Sequence, residues 1–498
     1  MKIGTPLLLL LAALLVAAPV AAQEQVPERL SLERALEIAR ASNPSFRASS
    51  NDERVADWNV RQAWGRLLPT ATANAGVAWQ GTGEQQFGTL TLGDLGFGNQ
   101  PSYYTSSYRI GLSYSLDWAT IKGPSQAKAD RASTVSQIDV AESNLVAQVT
   151  NAYLEMLRQQ EAVRIAEAQL ENSRYNLRLA QAQLEVGAVT GIDVGQAEVQ
   201  VGRSEVQALQ SRNLFETARM RLLQQLGQPM GADFELSTPF ELSEPTWELE
   251  ELTQMAEGTN PGLELRRNTR RAADIGVSSA RSSYFPTMTI STGWSGFTRE
   301  ASSTDFQIAQ AQRQVASSIA QCSAQNELYS RLTPPLPPID CARFAFTDAQ
   351  RQAIVSQNDQ FPFGFQQSPM TVSLGLSIPI FQGLSRQRNL EAARVQRDDA
   401  IEQLREQEIA LQADLAIGLA NARTAYQSAL LEERNRQLAE RQLTLARERY
   451  QLGEITFVDL VDAQTVLAQA EVDRIQAVFA YHDLVTNLEA LVGTSLRN

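Results

Sequence analysis

Two periodicities of apolar residues alternate along this chain, and the whole alternation is written twice. Tyr108, Ile110, Leu112, Tyr114, Leu116 and Trp118 alternate with Arg109, Gly111, Ser113, Ser115 and Asp117, a period of two that turns every apolar side chain to one face of a strand. Val372, Leu374, Leu376, Ile378 and Ile380 repeat the pattern against Thr371, Ser373, Gly375 and Ser377. Ala71, Ala73, Ala75, Val77 and Trp79 are in phase with it, as are Met288, Ile290 and Trp294. Strands are therefore predicted over about 70–79, 108–118, 287–294 and 371–381. After each pair the spacing changes to three and four. Leu145, Val149, Ala152, Met156, Val163, Ala166, Leu170, Leu177, Ala180 and Leu184 make one coiled-coil stripe, and Leu404, Leu411, Leu415, Ala422 and Tyr426 its counterpart. These stripes predict helices over about 125–186 and 386–452, with returning helices over about 190–226 and 456–492. Sixty helical residues make a rod of about 90 Å, several times the depth of an ordinary domain.

The duplication extends to the punctuation. One helix runs from Asn43-Pro44 to Leu68-Pro69 and another from Asn260-Pro261 to Phe285-Pro286, and the copies close in Gln225-Leu226-Gly227 and Leu491-Val492-Gly493. The expected organisation is a first repeat over 23–227, a linker over 228–251, a second repeat over 252–493 and a tail over 494–498. The first inter-strand loop, Gln80 to Ser107, is rich in Gly and Tyr; the second, Ser295 to Pro369, carries Pro334-Pro335-Leu336-Pro337-Pro338 and an expected short helix near Phe306 to Ala320.

The alternation alone fits a soluble sheet with one face on a core. Its polar face, however, is Ser, Thr and Gly, as a water-filled lumen needs, and Trp79, Tyr108, Trp118, Trp294 and Phe381 fall where an aromatic girdle belongs. Ten-residue strands span a bilayer, but four of them cannot close a barrel, because the smallest closed membrane barrels have about eight. Two or three copies must share it.

Lys2, the apolar run Leu7 to Val20 and Val20-Ala21-Ala22 read as a signal peptide over 1–22, so an exported protein is expected. A net charge of −13 leaves no basic face for nucleic acid. Cys322 and Cys341 lie in one loop of an exported chain, where a disulfide is expected. The single histidine, His482, reads as a surface or packing residue, and no metal-binding, triad or phosphate-loop spacing occurs, so neither an enzyme nor a cofactor is expected.

At the far end of each rod Gly187 and Gly453 are suited to stop a helix, and Thr190-x-x-Asp193 and Thr456-x-x-Asp459 to start the next as capping boxes. Asp462 shares a face with Asp459 where no cap is needed, and Gln196 stands at its counterpart. Around a symmetry axis Asp459 and Asp462 would form an acidic ring that draws cations, with pKa values raised by mutual repulsion.

Tyr450-x-x-Gly453, Asp459-Leu460-Val461-Asp462-Ala463-Gln464, and then Leu467, Ala470, Tyr481, Leu488 and Gly493 resemble the TolC-like outer-membrane efflux proteins, in both halves and over nearly the whole mature chain. The resemblance implies a mainly α protein with a membrane β part: a homotrimer with a twelve-stranded β-barrel in outer-membrane lipid, a coiled-coil α-barrel in the periplasm and an equatorial band. It implies a periplasmic adaptor and an inner-membrane pump as partners, with drugs or proteins as cargo. Tyr450, Asp193, Asp459 and Asp462 match the family's gate, whereas its arginine is replaced by Ile455; a closed state held by Ile455, Phe457 and a Tyr450 to Asp193 bond is expected. Val186, Gly187 and Ala188, with Leu452, Gly453 and Glu454, match the turns that meet the adaptor. The competing reading is an exported coiled-coil scaffold or adaptor.

Overall fold

The computed structural model describes residues 26–83, 86–87, 89–91 and 100–497; the expected signal peptide and part of the first loop lie outside them. In chain order the elements are β1 (Arg29–Leu30), α1 (Leu32–Ser42), α2 (Pro44–Gly65), β2 (Thr70–Gln80), β3 (Gln86–Phe87), β4 (Leu90–Thr91), β5 (Tyr103–Leu116), α3 (Trp118–Glu185), α4 (Gly191–Leu226), β6 (Glu235–Leu236), α5 (Leu249–Thr259), α6 (Pro261–Arg281), β7 (Thr287–Ala301), α7 (Asp305–Ser330), α8 (Asp348–Asn358), β8 (Gln366–Gln367), β9 (Thr371–Ser377), α9 (Ser385–Gln451) and α10 (Phe457–Val492). They form two compact units. One, helical, takes the chain up to Gln62, Pro124–Ser278 and Gln387 onward; the other, built on strands, takes Ala63–Gly123 and Ser279–Arg386. No helix among the described residues is long and apolar enough to cross a membrane.

The helical unit repeats element for element. α1 and α5 have 11 residues each, α3 and α9 have 68 and 67, and α4 and α10 have 36 each. Each copy is knotted at one junction. The Asn43 amide donates to the Gln225 carbonyl at 2.7 Å while its Oδ1 accepts from Phe46 N at 3.0 Å. Asn260 does the same with Leu491 O and Leu263 N, both at 2.7 Å. Both asparagines are buried, where an unsatisfied amide would cost about 1–3 kcal/mol, so the two-sided bonding is what allows them there. Opposite them Gly227 and Gly493 end α4 and α10 with φ of +67° and +86°. A Cβ on Gly493 would lie 2.3 Å from Thr259 O, and one on Gly227 2.4 Å from Ser42 O. Only glycine lets these backbones meet.

Above the first junction Leu145, Val149, Tyr153 and Met156 of α3 pack with Leu222, Leu223 and Leu226 of α4 and Ile38 of α1. Leu404, Leu411 and Leu415 of α9 pack likewise with Leu488 and Val492 of α10 and Leu252 of α5. The segment after α4 is tied to these cores by tyrosines: Tyr153 Oη donates to Leu30 O (2.9 Å) and accepts from Thr238 N (3.0 Å), and Tyr481 Oη donates to Ser243 O (2.6 Å). β6 pairs in parallel with β1.

In the strand unit β2, β5, β7 and β9 lie side by side and antiparallel, with β8 extending the β9 edge of β7. Register puts Ala73, Ile110 and Trp294 in one row, and Tyr114, Ile290 and Leu374 in another. Directly opposed residues share a face, so one face is largely apolar from the Leu116 row to the Ile110 row and is exposed there, Leu374 keeping 71% of its surface; nearer the loops the same face carries Ser106 and Thr298, both buried, and Glu300. The other face carries the row Thr70, Ser113, Ser291 and Ser373, linked by hydroxyl bonds of 2.7 Å (Thr70 to Ser113) and 2.6 Å (Ser291 to Ser373). β2 and β9 are unpaired along their outer edges among the described residues.

Three expectations about the strands and one about a loop helix need correction. The strand expected at 108–118 runs Tyr103–Leu116, so Tyr108 lies mid-strand. Asp117 leaves the sheet to cap α3, accepting from Thr120 N (2.6 Å) and Thr120 Oγ1 (2.9 Å), which carries Trp118 into the first turn and Pro124 inside the helix. β7 extends to Ala301, well past 294, because β5 continues beside it. β9 stops at Ser377, since Pro379 cannot supply the next ladder donor, so Phe381 lies beyond it. The helix expected near 306–320 is the 26-residue α7, joined to the turn after it by the Cys322–Cys341 disulfide.

Candidate functional site at the helical turns

α3 ends and α4 begins through residues 186–190, and α9 gives way to α10 through 452–456. Both outgoing ends are Schellman motifs. Ala188 N donates to Gln183 O (2.8 Å) and Gly187 N to Leu184 O (3.0 Å); Glu454 N donates to Arg449 O (2.9 Å) and Gly453 N to Tyr450 O (3.0 Å). Gly187 and Gly453 take the left-handed position at φ +76° and +73°, in open space. Val186 and Leu452, one residue earlier, are 79% and 75% exposed, an unusual place for apolar side chains.

The first turns of α4 and α10 are each sealed by an aspartate. Asp193 Oδ2 accepts from Thr190 N (2.8 Å) and Oγ1 (2.7 Å), and Asp459 Oδ2 from Thr456 N (2.9 Å) and Oγ1 (2.7 Å). These hydroxyl bonds, then the backbone bonds, hold both carboxyls below the usual aspartate range. Within one chain no like charge faces Asp459, and the Thr456 bonds set the direction of its shift. Asp462, on the next turn of α10, is exposed and takes no hydrogen bond or ion pair among the described residues.

Between the turns lies an apolar cluster of Ala180, Ala197, Leu443, Tyr450, Phe457, Leu460 and Ala463, with Ile455 packed on it. The Tyr450 and Phe457 rings are 6.0 Å apart. The expected Tyr450 to Asp193 bond does not form. The Tyr450 hydroxyl donates instead to Gln183 Oε1 at 2.9 Å, joining α9 to α3, while Asp193 Oδ2 accepts from Thr190. Burial raises the phenol pKa, and the nearby Asp193 charge adds to it. Gln183 was not legible as a partner: it is one of many glutamines on the helix surface.

A second seam was not legible either. Ile192, Gly195, Val199, Gly202, Val206 and Leu209 follow a strict three-four spacing on α4, and all four apolar side chains are more than half exposed. Leu431, Leu438 and Leu445 recur every seven residues on α9, with Leu452 continuing the spacing just past its end, and all are exposed too. Heptad counting on the returning helix would have found the first. His482 is buried against Phe240 and Tyr481, and desolvation lowers its pKa to about 4, so it is a neutral packing residue. No group of metal ligands occurs among the described residues.

Duplicated long helical hairpins, joined in one chain to an amphipathic sheet that one copy cannot close, define a channel-forming protein of the outer-membrane type. The outer membrane efflux protein family model matches residues 35–228 and 342–494, and the chain belongs to that family. The fusaric acid resistance protein FusA of Burkholderia cepacia is 26% identical over 275 residues, 54% of this chain and 50% of that one, so the chain spans about half the length of the curated relative it matches. The Campylobacter jejuni outer membrane channel CmeC shares the fold with a TM-score of 0.69 at 13% identity, covering 94% of this chain and 87% of that. VceC of Vibrio cholerae does so with 0.65 at 16% identity, covering 94% and 97%. The family and these neighbours are outer-membrane efflux proteins and channels, not enzymes, which removes the scaffold reading.

Proposed function

We propose that three copies of this chain form a passive exit duct, each supplying four long strands to one barrel and two helical hairpins to one tube. The observation that carries this reading is the sheet itself: an apolar face left bare, a hydroxyl-lined face opposite, and two outer edges without partners among the described residues. Open edges of long, flat, apolar strands invite pairing with another chain, and lipid tolerates strands only when every edge is closed. The exposed seams on α4 and α9 supply the matching surfaces for neighbouring copies in the helical part.

In this reading Val186, Gly187 and Ala188, with Leu452, Gly453 and Glu454, present bare apolar turns to a periplasmic adaptor, and an inner-membrane pump provides the energy. Tyr450, Gln183, Ile455 and Phe457 hold the tip shut, and Asp462 lines its narrowest part. The name of the curated relative links it to resistance to fusaric acid, which favours small-molecule efflux over protein secretion here. The test is the mass of the detergent-solubilised protein by native mass spectrometry, followed by planar-bilayer recording. A trimer giving small, cation-preferring currents supports the duct; a monomer that neither inserts nor conducts refutes it.

A further inference from the structure

The polar face of the sheet carries only two charges among its strand residues, and both are basic, in a chain with a net charge of −13. Arg109 stands in the row Asn74, Arg109, Ser295, and Arg299 two rungs nearer the loop end, its guanidinium 4.3 Å from the centre of the Tyr103 ring. Phe297 lies on the same face between them, opposite Ser107, with 48% of its surface exposed. Unlike Tyr103 on the same face, which is buried under Arg299, the Phe297 ring is left open among Ser, Thr and Gly neighbours, where it gains nothing from water. Arg109 itself is exposed and takes no hydrogen bond or ion pair among the described residues.

These side chains surround a hollow of about 520 Å³, lined by Asn74, Ser107, Arg109, Ser295, Phe297 and Ser368. The row beneath it, Ala75, Tyr108 and Gly296, turns its side chains to the other face, and Gly76 leaves one wall without a side chain. The volume is within the range of small-molecule sites. Its chemistry is specific: one planar two-pronged cation suited to a carboxylate, one ring face for stacking, and hydroxyl and amide groups able to accept or donate at the edges.

We infer that this hollow is a cargo-binding station for aromatic carboxylates, with Arg109 holding the carboxylate and Phe297 the ring. Arg299 lies on the exit side, where its charge draws the anion onward. The inference rests on the duct reading for its biological meaning, but binding is measurable without transport. Detergent-solubilised full-length protein titrated with 2-naphthoate, followed by the polarisation of its fluorescence, should bind saturably. Arg109→Ala should weaken binding about tenfold, the loss expected for one charge-assisted contact, and Arg109→Lys less. Phe297→Ala should weaken it for 2-naphthoate but not for hexanoate used as competitor. Equal affinity in wild type and Arg109→Ala, with circular dichroism unchanged, overturns the site even if the protein conducts. Arg109-dependent binding by protein that does not conduct upholds the site and sinks the duct reading.

Discussion

Gly493→Ala and Gly453→Ala make the same chemical change at two left-handed helix ends, and the structure separates their costs. At Gly453 an added Cβ meets nothing within 4 Å, so only backbone strain is charged, about 1 kcal/mol for an L residue in that conformation. At Gly493 the Cβ falls 2.3 Å from Thr259 O and 2.8 Å from its carbonyl carbon, so the end of α10 must move away from the α5–α6 junction. That movement stretches Asn260 Nδ2 to Leu491 O (2.7 Å) and Thr259 Oγ1 to Val492 O (2.6 Å). Each bond is worth about 1 kcal/mol, giving about 3 kcal/mol with the strain. Thermal unfolding of the detergent-solubilised protein, followed by helical circular dichroism, should show a clear drop in midpoint for Gly493→Ala and a small one for Gly453→Ala. Gly227→Ala should behave like the former and Gly187→Ala like the latter. Equal midpoints for Gly493→Ala and Gly453→Ala would refute the argument that close approach, rather than left-handed geometry, fixes the glycine.

Tyr450→Phe keeps the ring contact with Phe457 and removes only the bond to Gln183, about 1 kcal/mol per protomer; single-channel recording should find larger conductance, matched by Gln183→Ala and not increased by combining the two. Leu374→Arg places a charge on the bare apolar face and should cost about 2–4 kcal/mol at membrane mid-depth, sharply lowering the amount recovered in outer membranes, whereas Ser373→Arg, on the hydroxyl face, should insert normally. For pH, burial raises Asp483 to about 6 and lowers His482 to about 4. Asp483 thus stabilises the fold progressively as pH falls from 6 toward the ordinary aspartate value, while buried neutral His482 loses stability as pH falls from the ordinary histidine value toward 4. The two oppose each other, so urea midpoints should fall on acidification in Asp483→Asn and rise in His482→Gln; parallel profiles would sink the assignment.

The large-scale plan was legible because it rests on periodicity: strands of period two, rods with a three-four stripe, Gly and Pro at the joints. What the sequence could not fix were places where one residue had two possible employers. Asp117 fits the polar phase of a strand and equally an N-cap, and the hydroxyl and backbone of Thr120 decided for the cap. Asp193 could serve Tyr450 or Thr190, and in the structure it accepts from Thr190 while Tyr450 turns to Gln183. Arg109 was read as one polar member of an alternating strand, and only the register with Phe297 and Ser295 gave it neighbours.

The duplication itself sorts the candidate gate residues. Positions that are identical in both turns report what a turn needs: Gly187 and Gly453 end a helix, Thr190 with Asp193 and Thr456 with Asp459 begin one, and the bonds match within about 0.1 Å. Positions that differ report what one turn adds: Leu184 is the counterpart of Tyr450, Ala188 of Glu454 and Gln196 of Asp462. Asp459 belongs to the first group and Asp462 to the second, so the constriction charge is assigned to Asp462 alone. Asp459→Asn should therefore resemble Asp193→Asn, a modest loss of stability as a capping box weakens, with cation preference in planar bilayers retained. Asp462→Asn should leave stability unchanged and reduce cation preference. If the preference follows Asp459 instead, the cap and the constriction are one group, and the reading of the duplicated turns is wrong.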